Sequence, residues 1–112
     1  MATVRIPKED WEGFFDRVSR VLEGEQAEVE VAGLDIGDQV EAEWVQLLGI
    51  SYDPKDDLVE VALAGVDHLV RQPREIDVEE EGVLVSSILI RDGEGHEHII
   101  RLRTPLALPK AA

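Results

Sequence analysis

Two hydrophobic periods divide this chain. Near its start Trp11, Phe15, Val18 and Leu22 recur four, three and four residues apart, so they line one face of a helix, and Phe14 and Val21 widen that face. Pro7 suits a first turn, Glu9 and Asp10 suit the positive end of a helix dipole, Asp16 and Arg20 form an i,i+4 pair, and Gly24 suits a stop. The pattern predicts a helix over about 7–23. It carries three of the four Trp and Phe residues, so it must dock on an apolar surface.

After Gly24 the period becomes two. "AEVEV" sets Ala27, Val29 and Val31 against Glu28 and Glu30, and "VEAEW" sets Val40, Ala42 and Trp44 against Glu41 and Glu43. A hairpin that keeps the apolar faces together pairs Val31 with Val40 and Val29 with Ala42, which sets Glu30 opposite Glu41 and Glu28 opposite Glu43. Further alternation follows in "LGISYD", "LVEVAL", "DHLVRQPREIDV", where Pro73 implies an edge or a bend, and in a last hairpin around "DGEG". In that hairpin a two- or four-residue loop puts Val83, Val85, Ser87 and Leu89 on the face of His96, His98, Ile100 and Leu102. The expected fold is α+β. One N-terminal helix packs on a strongly bent antiparallel sheet, or half-open barrel, of six to seven short strands over about 26–104. With 112 residues and no dividing linker, residues 1–112 read as one domain with a short C-terminal tail.

Charge and composition narrow the function. The chain holds 25 acids and 11 bases, and residues 23–60 hold twelve acids against Lys55 alone. Nucleic acid and anionic membranes are disfavoured, because both select a basic footprint. There is no cysteine, hence no disulfide, thiolate metal site or thiol nucleophile. The opening "MATVRIPKED" lacks the features of a signal peptide, and no apolar run is long enough to span a bilayer, so a soluble cytoplasmic protein is expected.

Candidate chemistry is sparse. His96 and His98, two apart on a strand, can share a metal given a third ligand, with His68 or a carboxylate as the nearest choice. Two histidines at the end of a core strand is the plainer reading. The opposed glutamates Glu28, Glu30, Glu41 and Glu43 are either solvated, paired with Arg101 or Arg103 or a basic partner, or cation-binding. Asp53, Asp67, His68, Arg71 and Arg74 form a possible polar patch, although Asp53 before Pro54 and Asp67 after Gly65 also suit turns. Tyr52, His68 and Asp67 are acid–base candidates only if they meet in a pocket. No catalytic motif occurs, so no catalytic residue and no cofactor is expected.

"IPKEDWEGFFDRVSR", "LLGISYDPKDDLVEVAL", "DHLVRQPREIDV" and "IRDGEGHEHIIRLRTPLALP" together resemble a family of short stand-alone bacterial proteins catalogued only as a domain of unknown function. The residues that carry the resemblance include Ile6, Pro7, Trp11, Phe15, Asp16, Ser19 and Arg20, then Gly49, Tyr52, His68, Pro73, Asp92 and Gly93. It implies a bacterial, self-contained cytoplasmic domain and brings no activity, cofactor or site residue. The reading from the residues is a non-enzymatic protein-interaction module, with an edge near Pro73 or the C-terminal "TPLALPKAA" pairing with a second copy or another protein. The alternative is a small-ligand or metal-binding protein using His68, His96 or His98.

Overall fold

The computed structural model describes residues 2–108. In chain order it contains β1 (Ala2–Arg5), a 3-10 turn (Lys8–Asp10), α1 (Trp11–Arg20), β2 (Gln26–Gly33), β3 (Gly37–Asp53), β4 (Leu58–Leu63), β5 (Val66–Arg71), β6 (Pro73–Glu81), β7 (Leu84–Asp92) and β8 (Glu97–Ala107). All neighbours are antiparallel, in the order β1-β6-β7-β8-β2-β3-β4-β5. The expectation of an α+β fold with six to seven strands is therefore corrected. The described residues form an open eight-stranded sheet with one short helix, a mostly-β fold. The missing strand is β1, whose four residues are all exposed and show no alternation to read.

The long strand β3 belongs to two layers. Its first half pairs with β2 as far as Gln26 and Gln46, and its second half pairs with β4 from Leu47 onward. Inside the β2-paired half, where the register slips between Ala42 and Val45, Trp44 takes a left-handed backbone (φ 50°), unusual for a bulky residue, shortly before the strand passes from β2 to β4. Its ring lies under the Arg103 guanidinium, 5.9 Å from centroid to carbon, rather than in the core expected for it. The curl is completed at Gln72, also left-handed (φ 55°), whose N–H donates to the Asp57 carbonyl at 2.9 Å. This one residue joins β5 to β6, strands near opposite ends of the sheet order, so the ends must approach each other. Pro73 opens β6, where a missing N–H costs no ladder bond.

The helix fills the mouth of the curl. Trp11, Phe14, Phe15 and Val18 are buried on the predicted face, in one core with Leu47, Ile50 and Tyr52 of β3. Trp11 meets Tyr52 edge to face at 5.2 Å and donates its indole N–H to the Ile6 carbonyl at 2.9 Å. Where β3 has left β2, the Ser19 hydroxyl donates to the Ile50 carbonyl at 2.7 Å and accepts from the Ile50 N–H at 3.1 Å. A helix side chain thus takes the place of a neighbouring strand.

Two registers differ from expectation. Val29 does pair with Ala42, but irregularities on either side put Glu30 opposite Val40 and Val31 opposite Gln39, which leaves Val40 exposed. The last hairpin turns through three residues, Gly93–Gly95, with Gly95 left-handed and the Asp92 N–H donating to the His96 carbonyl. Such a loop shifts the parity by one. Ile90 pairs with His98 and Ile88 with Ile100, so these isoleucines, not Leu89, share the buried face.

Candidate functional site

The structure places the three histidines at one end of the curl. His98 is buried on β8, and His68 projects from the inner face of β5 in register with Val61 and Ile50. The curl brings His68 Nε2 to 2.8 Å from His98 Nδ1, with ring centroids 5.0 Å apart. His98 Nε2 lies 2.8 Å from Asp92 Oδ2, while Asp92 Oδ1 accepts the amides of Glu94 (2.9 Å) and His96 (3.0 Å). The carboxylate accepts only, so His98 Nε2 carries the proton, and a neutral His98 then accepts from His68 at Nδ1. Burial raises Asp92, but His98 and the two amides outweigh it and hold its carboxyl below the usual range. Burial, then the neighbouring His98, push His68 down against a smaller opposing pull from Glu41. His96 turns to Asp35 in the β2–β3 turn, 2.8 Å away, and that bond raises His96 and lowers Asp35. Gly33 leaves the room for it, since a Cβ there would lie 2.5 Å from the His96 ring.

These contacts fasten elements together. Both His98 ring nitrogens and His96 Nε2 face protein partners, so the pair does not offer two free nitrogens to a shared ion. Among the described residues no group of three or more His, Asp or Glu is arranged to hold a metal. The other candidates are dispersed. Asp53 caps its own turn, accepting the Lys55 amide at 2.9 Å. Asp67 and Arg71 lie on the outer face of β5, opposite in direction to His68 and four residues apart, or about 13 Å along a strand. Arg74 lies across the corner beside Gly93. Tyr52 donates to Asp57 at 2.9 Å, and burial followed by that carboxylate pushes its hydroxyl up to about 12, too high for a base at neutral pH. Glu28 and Glu30 do pair with Arg101, at 3.1 and 2.7 Å, while Glu41 and Glu43 are exposed.

A concavity lies elsewhere, between β1 and α1. This groove of about 540 Å³ has Val4, Arg5, Ile6 and Pro7 on one wall and Gly13, Phe14, Asp16, Arg17 and Arg20 on the other, with Glu9 and Asp10 at the link. That volume is typical of ligand sites, which run from roughly 300 to 1,000 Å³. A short link explains the geometry: after Pro7 one 3-10 turn returns the chain as α1 alongside the strand it has just left. Among the described residues β1 pairs with β6 on one side only, so its other edge is open, and Val4 and Arg5 of the strand line the groove. Arg5 is held on the β6 side by Asp77 and by Glu75 at 2.8 Å. Opposite stands Gly13, in the first turn of α1, where an added Cβ would meet nothing within 4 Å. Sequence reasoning missed this site because β1 gave no strand signal; the helical glycine was the one clue present.

No helix among the described residues is long and apolar enough to cross a membrane. The chain matches a family described as "Family of unknown function (DUF5335)" over residues 2–111. It is 46% identical over 111 residues to an uncharacterized protein of Aquifex aeolicus (strain VF5), covering 98% of this chain and all of that relative. No solved structure matches it. With the match spanning nearly the whole chain, the protein belongs to this family of unknown function.

Proposed function

We propose that the protein is an interaction module that binds an extended peptide segment by strand addition to β1, in the groove beneath α1. The observation that carries this reading is the open edge of β1, whose Val4 and Arg5 line a groove with a helix as its far wall. Unpaired backbone groups of an edge strand supply a ladder for an incoming chain, and side-chain pockets beside it supply selectivity. Val4 is partly exposed, and Ile6, Pro7 and Phe14 add apolar lining. The groove lining holds no histidine, serine, threonine or tyrosine, and the reading takes it as a binding surface with no cofactor. A net charge of −14 argues against nucleic acid as the partner.

The test is selection of heptapeptides from a random display library, followed by amide chemical-shift mapping on the uniformly labelled protein. Shifts are expected at Val4–Pro7 and Gly13–Arg20, with binding lost on Gly13→Trp and on N-methylation of alternate peptide residues. Binders that shift only the histidine end, or that tolerate N-methylation throughout, refute strand addition at β1. A mass of two chains, with the same residues shifted, would identify a second copy as the occupant.

A further inference from the structure

We infer that the groove takes a three-residue extended core, antiparallel to β1, whose central residue is apolar and points under α1 while its two neighbours make the main-chain bonds. This rests on the strand-addition reading and names the register in which it acts. The Ile6 N–H donates to the Ile76 carbonyl of β6 at 2.9 Å. A trans peptide points its C=O opposite to its N–H, so the Arg5 carbonyl faces away from β6. Antiparallel pairs alternate between bonded and non-bonded, and the register runs back from Ile6 through Arg5↔Asp77, Val4↔Val78 and Thr3↔Glu79. Val4 therefore turns its N–H and C=O to β6, and Thr3 and Arg5 turn theirs to the open edge. Pro7 is next in phase, but it has no N–H, and its carbonyl already accepts from the Asp10 amide at 2.9 Å. Among the described residues the ladder open to a ligand is thus the N–H and C=O of Thr3 and of Arg5.

The two faces of the strand decide which side chain is read. Val4 pairs with buried Val78, so it points to the core side of the sheet, and Phe14 lines the same groove. Thr3 and Arg5 point outward in register with Glu79 and Asp77, and Arg5 is already held there by Asp77 and Glu75. An added antiparallel strand makes bonded pairs at Thr3 and Arg5 and a non-bonded pair at Val4, the kind in which facing side chains lie closest. The residue opposite Val4 thus aims its side chain into the apolar lining of Val4, Ile6 and Phe14, where Gly13 leaves the helix wall without a side chain. Its own N–H points away from β1, to solvent. Parallel addition reverses that last relation: the residue opposite Val4 then donates its N–H to Thr3, and the N–H groups of its two neighbours go unpaired. Every strand pair of this sheet is antiparallel, the pairing that is more stable per residue.

The experiment titrates the capped peptide Ser-Thr-Ile-Thr-Ser, and three versions each N-methylated at one of its central residues, into labelled protein up to millimolar concentration, followed by amide shifts. The parent should shift Thr3, Arg5 and Phe14. Methylating either threonine should weaken binding about tenfold, since it removes a bond and leaves a β1 carbonyl unpaired. Methylating the isoleucine should leave the affinity within about threefold, and replacing it with serine should cost about tenfold. In the free protein the Thr3 and Arg5 amides should exchange with solvent faster than those of Val4 and Ile6. The reverse order of exchange overturns the register, and so does an isoleucine that binds no better than serine. A tenfold loss on methylating the isoleucine also overturns it; with both threonines tolerant, the added strand is parallel and strand addition stands. A parent that shifts no groove residue, beside library-selected peptides that do, overturns the three-residue core. If those peptides fail too, or if all three methylated versions bind like the parent, the strand-addition reading falls with it.

Discussion

Replacing Ser19 with alanine tests whether a helix hydroxyl does the work of a neighbouring strand. The wild-type hydroxyl both accepts from and donates to Ile50, at 3.1 and 2.7 Å, on the side of β3 that β2 no longer covers. Ile50 is 2% exposed, so its amide and carbonyl have little other access to water. Deleting the hydroxyl removes two bonds that each contribute about 1 kcal/mol net, and it leaves two backbone groups unpaired. Partial entry of water into the vacated space offsets some of that penalty. The expected loss is about 2 kcal/mol, a substantial part of the 5–15 kcal/mol that ordinarily holds a domain together. For this chain length it corresponds to a fall of about 8 °C in Tm and of about 1 M in the urea midpoint, with unchanged slope. The comparison is Ser51→Ala, a serine exposed on the same strand, which should shift the midpoint very little. If Ser19→Ala lies within about 0.5 kcal/mol of wild type, alongside Ser51→Ala, the hydroxyl is not closing the strand edge.

Two further outcomes follow from named contacts. Gly13→Ala should stabilise the fold by about 0.5 kcal/mol in thermal melts, because glycine in a helical turn costs conformational entropy and the new methyl meets nothing; a lower melting point would show that the helix needs glycine there. Imidazole NMR titration should find His68 titrating below, and His96 above, the ordinary value of 6.5. The unfolded chain protonates at His68 first, so that residue costs stability as pH falls from 6.5 towards its lower folded value, whereas the His96 contribution is fully present below 6.5 and is lost as pH rises through its raised value. His68 titrating above His96 would contradict the assigned hydrogen bonds.

The legible parts of the fold were those governed by local period. Trp11, Phe15 and Val18 pointed inward as their spacing required, and so did Ala27, Val29 and Val31. What escaped was set by single residues with uncommon backbone angles. Trp44 and Gln72 take positive φ although neither is glycine, and no alternation announces such a residue. Bulges moved Val40 outward, and a three-residue turn exchanged Leu89 for Ile88 and Ile90. The histidines were visible as residues but not as partners, since β5 and β8 stand four places apart in the sheet and meet only through its curl. The groove depended on β1, which the sequence does not mark.

The strand order also carries a consequence for the making of the protein. β1 must wait for β6, and β2, which lies near the centre of the sheet, must wait for β8, whose Leu102 pairs with Ala27. Synthesis proceeds at about 5–20 residues per second from the N-terminus, so for several seconds β2 has emerged with one edge lacking the strand that will pair with it. Hairpins β2–β3 and β6–β7 can form as they appear, but the sheet cannot be joined until nearly the last residues leave the ribosome. During that interval the twelve carboxylates of residues 23–60 surround the uncovered strand and repel other nascent copies. The acidity that says little about function in the finished molecule thus has its clearest physical effect before the molecule is finished.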